Sequence, residues 1–188
     1  MNRSDQQLIE DYFKGDEKSL EALIQRYLKP IYSFTYRYVN TLQDAEDITQ
    51  ETFVKAWKNL KKFDQNKSFK TWIFFIAKNI AIDFLKKKKT IPFSEFSDNN
   101  GKNIIIETLV DSSLLPDKLV EKSDFVQVLN LAIAKLSPKY RKVLSLRYSN
   151  GFNFREIAEF LGESLNTVKS QHRRALTILK RQLLVFSS

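Results

Sequence analysis

The sequence has no cysteine and a single histidine, His172. Disulfides, thiolate catalysis and metal sites that need several sulfur or imidazole ligands are thereby excluded, and no metal or cofactor is expected. The missing thiols fit a cytoplasmic protein. Glycine and proline number only four each, so breaks are sparse, and between them the apolar residues recur at helical rather than alternating spacing. Long hydrophobic runs are also lacking. The longest, Trp72 to Ala77, is far too short to span a bilayer, and the opening MNRSDQQLIEDYF has no apolar signal core, so no membrane insertion is expected.

What is there suffices for cores. Hydrophobic residues make up 43% of 188, enough for one ordinary domain or two compact ones, and the predicted class is all-α. The net charge of +9 is unevenly placed. Residues 1–66 carry ten basic and eleven acidic side chains, and residues 67–92 seven and one. Residues 93–118 carry two and five, and residues 119–188 twelve and five. Two basic blocks flank an acidic spacer, which suggests two surfaces facing a polyanion.

The stretch TIPFSEFSDNNGKNIIIETLVDSSLLPDK, residues 90–118, collects Pro, Gly, Ser, Asn and Asp without a sustained helical period. It reads as a flexible linker between two small helical domains, 1–92 and 119–188, with the linker proper at 93–118. Helices are expected near 5–13, 17–39, 44–62 and 71–89, then near 118–136, 138–149, 154–161 and 165–184. Asp44 is a plausible N-cap, and Ser137 followed by Pro138 marks another helix start.

In FNFREIAEFLGESLNTVKSQHRRALTILKRQL, a short helix with Ile157, Ala158 and Leu161 on one face stops at Gly162, and a second helix begins about three residues later. This is the pattern of a helix-turn-helix. Leu165, Val168, His172, Ala175 and Leu179 form the second helix's inward stripe, while Asn166, Ser170, Arg173, Arg174, Thr177 and Arg181 point outward. Short polar groups and arginines suit base edges and phosphates in a major groove, and Arg155 and Lys169 are better placed for phosphates. His172 has no second catalytic partner beside it and reads as structural.

These residues resemble region four of bacterial sigma factors. The resemblance runs through Tyr140, Arg141, Arg147, Gly151, Glu156, Ile157, Ala158, Leu161, Gly162, Ser164, Thr167, Val168, Lys169, Ser170, Arg174 and Ala175. It implies that residues around Thr167 to Arg174 read the minus-thirty-five promoter element, while the domain also meets the polymerase flap. Gln171 stands where many members carry Arg; Gln can still make a bidentate contact, to adenine rather than guanine, so the resemblance does not carry over the preferred base there.

In DAEDITQETFVKAWKNL, residues 44–60, Ile48, Phe53, Ala56, Trp57 and Leu60 turn towards a core and Glu46, Asp47, Gln50 and Glu51 stay outside. Carboxylates repel phosphates, so this acidic face points to a protein partner with a basic surface rather than to a metal or acid-base site. The following FDQNKSFKTWIFFIAKNIAIDFLKKKK puts Ile73, Ala77, Ile80 and Phe84 inward and Phe75, Lys78, Asn79 and Lys86 outward, with Trp72 and Asp83 at the margin. Aromatic rings among cations suit unstacked bases. Trp72 reads as core; Phe75 fits either a shared core or a stacking role.

Both segments resemble region two of the same family, at Asp44, Ala45, Glu46, Asp47, Gln50, Glu51, Phe53 and Trp57 and then at Phe63, Ser68, Phe69, Thr71, Trp72, Ile76, Ala77, Asn79, Asp83 and the lysine run. The resemblance implies that Asp44, Glu46, Asp47, Gln50 and Glu51 bind the clamp helices of core RNA polymerase. It implies that Lys67, Ser68, Phe69, Lys70, Phe75, Lys78, Asn79, Asp83 and Lys86 melt and read the minus-ten element, with one base flipped into a pocket at the 63–69 loop.

The two-domain layout is similar to the extracytoplasmic-function group of sigma factors, non-enzymatic bacterial cytoplasmic initiation factors commonly restrained by an anti-sigma partner. On that reading the acidic linker passes through the polymerase's nucleic-acid channel. The alternative is a free-standing helix-turn-helix regulator, which explains residues 151–184 but leaves the acidic helix and the aromatic basic segment without a task. A recombinase or nuclease would need a nucleophile or converging carboxylates, which the sequence does not supply.

Overall fold

A computed structural model describes residues 3–89 and 128–186. Every regular element among them is helical. The chain divides into two compact units, Met1–Ser97 and Asp98–Ser188. The expected linker, with the part of the expected 118–136 helix that precedes residue 128, lies outside the described residues.

The first unit has four helices: α1 (Asp5–Phe13), α2 (Glu17–Val39), α3 (Leu42–Asn59) and α4 (Phe69–Lys89), with a single 3₁₀ turn at Leu60–Lys62. Ser4 starts α1 through a capping box with Gln7, each side chain serving the other's backbone N–H. Asn40, at φ 58°, ends α2 in the left-handed conformation that Asn tolerates better than most residues. The cap of α3 is Thr41 rather than Asp44: the Thr41 hydroxyl accepts from the Asp44 N–H at 3.3 Å. Asp44 falls inside the first turn, where its charge still favours the helix dipole.

α2 presents Ser19, Leu23, Tyr27, Ile31, Phe34 and Thr35 as one buried stripe. It packs on α1, α3 and α4. Across the α2–α3 seam the buried residues of α3 are small, Ala45, Thr49, Thr52 and Ala56 beside Ile48. The buried hydroxyls there are satisfied locally, Thr49 donating to the Ala45 carbonyl and Thr52 to that of Ile48, both at 2.6 Å. This corrects the expected inward face of α3. Trp57 is 40% exposed and packs on Tyr12 at 4.6 Å between ring centroids, and Phe53 is only half-buried.

α4 packs against both α2 and α3, so its buried face is wider than a single stripe. Beside Ile73, Ala77 and Ile80 it buries Phe69, Phe74 and Ala81. Phe74 is fully covered and meets Phe34 edge-on at 5.0 Å.

In the second unit, α5, whose described residues are 128–134, is followed by α6 (Pro138–Leu144), α7 (Phe154–Leu161) and α8 (Leu165–Phe186). The sequence predicts one helix over 138–149, but the chain widens after Leu144 into a π turn, Ser145–Ser149, closed by the Asn150 N–H on the Ser145 carbonyl at 3.1 Å. Pro138 takes the first turn of α6 as expected, although the Ser137 hydroxyl makes no cap hydrogen bond. Ala132, Ile133, Leu136, Leu144, Ala175 and Leu179 form one core cluster. Ile157, Phe160 and Val168 are buried where α7 crosses α8, and Phe160, not Leu161, is the deeper of that pair.

Candidate nucleic-acid and protein interfaces

The second unit builds its helix-turn-helix around a tight turn. Asn153 caps α7 through a capping box with Glu156, and α7 ends at Gly162 with φ 67°. An L-residue with a Cβ pays about 1–2 kcal/mol in that conformation, so glycine is what lets the chain reverse here. Two residues later Ser164 caps α8, its hydroxyl accepting from the Thr167 N–H at 3.0 Å and lying 2.8 Å from the Thr167 hydroxyl. The second helix is thereby fixed at its N-terminus, the end that such motifs present to a groove.

Leu165, Val168, His172, Ala175 and Leu179 turn inward as expected, with Val168 and Ala175 fully buried. Asn166, Thr167, Lys169, Arg173 and Arg174 are exposed together on α8, and Arg155 is exposed on α7. Ser170 and Gln171 are half-buried. Gln171 does not stand free: its Nε2 donates to Glu163 Oε2 at 2.7 Å. His172 is a structural residue. Its Nε2 lies 3.0 Å from the Tyr148 hydroxyl and its ring meets Phe154 edge-on at 5.0 Å. Burial, and then the nearby Arg147 guanidinium, hold its pKa below the ordinary 6.5. Arg147 itself sits over the Phe154 ring at 5.0 Å and donates to the Phe152 carbonyl at 2.9 Å.

In the first unit two surfaces of opposite character lie on adjacent helices. Glu46, Asp47, Gln50 and Glu51 are exposed along α3. Asp44 is set apart from them: it is half-buried and accepts from Lys88 Nζ at 2.8 Å, and that hydrogen bond, foremost, holds its carboxyl below the usual 3.8. Beyond Glu51 the same helix exposes Val54 and Trp57, which with Leu20, Ile24, Phe53 and Lys58 line an apolar groove of about 260 Å³ against α2. These apolar positions were missed because large side chains on α3 were assigned inward, whereas the close α2–α3 seam accepts mainly small ones.

The expected strand-reading residues divide by exposure. Lys67, Asn79, Asp83 and Lys86 are exposed, and Ser68, Lys70, Phe75 and Lys78 half-buried, with the Lys78 ammonium 5.4 Å from the Phe75 ring centre. Lys86 lies 3.7 Å from Asp83, an exposed contact one turn apart. Ser68 accepts from the Thr71 N–H at 3.3 Å and so starts α4. Phe69 is in the core: it is 6% exposed and packs on Tyr27, Phe63 and Trp72 at 5.5–5.6 Å. Its ring anchors the loop to the core of the unit. Trp72 is half-buried in the same cluster, 4.9 Å from Phe63. An Asx turn shapes the loop, the Asn66 N–H donating to Asp64 Oδ1 at 3.0 Å.

Among the described residues no group of three or more His, Asp or Glu side chains is placed to hold a metal, and no helix is long and apolar enough to cross a membrane.

A helix-turn-helix with a cationic outer face, preceded by a helical unit with one acidic and one basic aromatic surface, defines a DNA-directed regulator that also meets protein. The family models agree: sigma-70 region 2 matches residues 23–91 and sigma-70 region 4 matches residues 127–179. The chain is 33% identical to the ECF RNA polymerase sigma factor SigW of Bacillus subtilis over 93% of its own length and 94% of that protein's. It is 30% identical to the ECF RNA polymerase sigma-E factor of Escherichia coli over 92% and 90%. Among solved structures, CnrH in complex with the cytosolic domain of CnrY matches with a TM-score of 0.60 at 23% identity, covering 98% of this chain and 99% of that one. The sigma factor RpoE bound to the anti-sigma factor NepR, from Bartonella quintana, matches at 0.58 and 22%, covering 89% and 98%. The chain belongs to the ECF group of the sigma-70 family of RNA polymerase sigma factors.

Proposed function

We propose that the chain binds core RNA polymerase through α3, opens and reads the minus-ten element with α4 and the loop before it, and reads the minus-thirty-five element with α8. The observation that carries this division is charge placement: Glu46, Asp47, Gln50 and Glu51 stand out together from the first half of α3, while Lys67 before α4, Lys86 on α4 and the cluster of Lys169, Arg173 and Arg174 on α8 are exposed cations. A carboxylate face is repelled by phosphates and suits the basic surface of a large enzyme. Val54 and Trp57 extend that face with apolar area, the kind of surface that supplies affinity at a protein contact. Such a factor works in the bacterial cytoplasm, and an anti-sigma partner of the sort that RpoE meets in NepR is proposed for it as well. The domain limits 1–92 and 119–188 stand as part of this proposal.

Reconstitution tests the division. Asp47→Lys with Glu51→Lys is expected to abolish association with core polymerase, whereas Lys169→Ala with Arg173→Ala leaves association intact and weakens promoter-directed initiation. Equal loss of association in both variants would refute it. A free-standing regulator would instead bind duplex DNA tightly and specifically in a gel shift without polymerase.

A further inference from the structure

Glu163 has no task in the reading above. It follows Gly162 in the turn, and its backbone N–H donates to the Ala158 carbonyl at 3.0 Å, so the bend that creates the reader also fixes where the Glu163 side chain begins. From there its carboxylate reaches along α8 to accept from Gln171 Nε2 at 2.7 Å. The other arm of that amide, Gln171 Oε1, is covered from solvent and meets no hydrogen-bond partner among the described residues. Gln171 is held this way because four residues separate it from the buried Ala175, about 40° around the helix, at the edge of the outward face.

We infer that Glu163 is a specificity-determining residue, competing with DNA for the Gln171 amide; the inference rests on α8 being the duplex reader. Glutamine reads adenine as a pair, with Nε2–H donating to N7 and the oxygen accepting from N6. With Nε2 engaged by Glu163 and Oε1 covered, that pair forms only after the amide leaves the carboxylate and swings outward. The swing leaves an unpaired carboxylate close to the phosphates lining the groove, where it is repelled. The wild-type chain therefore discriminates adenine less sharply at this base pair than Gln171 would unaided. Glu163 and Gln171 act as one unit, and replacing Glu163 changes how strongly adenine is favoured although Glu163 touches no base itself.

The test uses the full chain with core polymerase on promoters randomised across the minus-thirty-five element, with transcripts sequenced for wild type, Glu163→Ala, Glu163→Gln, Gln171→Ala and the Glu163→Ala/Gln171→Ala pair. Glu163→Ala is expected to raise the preference for adenine at one base pair by about five- to tenfold, within the range of one bidentate base contact. Glu163→Gln, which still accepts the hydrogen bond but carries no charge, falls between it and wild type. In the Gln171→Ala background the effect of Glu163→Ala on base preference disappears. A uniform rise for every sequence, as removal of a charge near phosphates would cause, overturns the inference, as does an unchanged effect in the Gln171→Ala background. If wild type confers no start-site selectivity at all, the initiation-factor reading fails and this inference falls with it.

Discussion

Lys88 donates to Asp44 at 2.8 Å, joining the last turn of α4 to the first turn of α3. One member of the lysine run is thus spent inside the protein, and the most N-terminal carboxylate of the acidic segment is neutralised by it. The acidic face open to a partner begins at Glu46. Lys88 also lies 5.4 Å from the Phe84 ring centre, so the pair fixes the end of α4.

Lys88→Met is expected to cost roughly 0.5–1 kcal/mol of first-unit stability, the range for a partly exposed pair. Because the folded state holds Asp44 below its ordinary 3.8, the stabilisation is fully present above that value and is lost as the pH falls through the lower folded value. Urea melts from about pH 6 down to about pH 2 should show this loss in wild type and a weaker one in the variant.

His172 carries the second pH dependence. Its pKa is depressed in the folded state, so its contribution is complete above 6.5 and is lost as the pH falls through the lower folded value, where a proton must enter a site already facing Arg147. Thermal melts of the full chain should decline in this window. His172→Phe, which keeps a ring against Phe154 and Tyr148, should flatten the decline; an unchanged slope would place the effect elsewhere.

Phe69 and Phe75 should separate stability from strand recognition. Phe69→Ala removes a ring at the centre of the Tyr27–Phe63–Trp72 cluster and should cost about 3–5 kcal/mol, lowering the melting temperature of the first unit. Phe75 is half-buried, so Phe75→Ala should cost less stability than Phe69→Ala while reducing promoter opening, read as permanganate reactivity of thymines in the minus-ten element.

Lys169 and Arg173 are exposed on the outer face of α8. Replacing either by Ala should lower the salt dependence of promoter binding by the holoenzyme by about one unit of slope if it meets a phosphate, with weakening similar for all sequences. A change confined to one base position would make that residue a base reader instead.

Much of the architecture was readable along the chain. The limits of α1 and α2 matched the expected 5–13 and 17–39, because Ser4, Asp16 and Asn40 mark their ends with local chemistry. The helix-turn-helix was equally legible, since Gly162 and the inward stripe from Leu165 to Leu179 state it in spacing alone. Three features were not. Trp57 was assigned inward together with Phe53 and Leu60, yet the residues that α3 buries are mainly Ala and Thr. Phe69 was singled out by its place in a motif, which does not say that its ring is buried against Tyr27 of α2. The π turn after Leu144 leaves no mark that distinguishes it from a continued helix.

The sequence alone determined where most helices run, the ends of α1 and α2, the order of two helical units and the separation of basic from acidic blocks, because each depends on neighbours within a few positions. Only the tertiary structure decided which large side chains stay exposed, that Asp44 belongs to Lys88, and that Gln171 belongs to Glu163. Those outcomes depend on which face a neighbouring helix or turn covers, and helical periodicity says that a face is apolar or polar without saying what will lie against it.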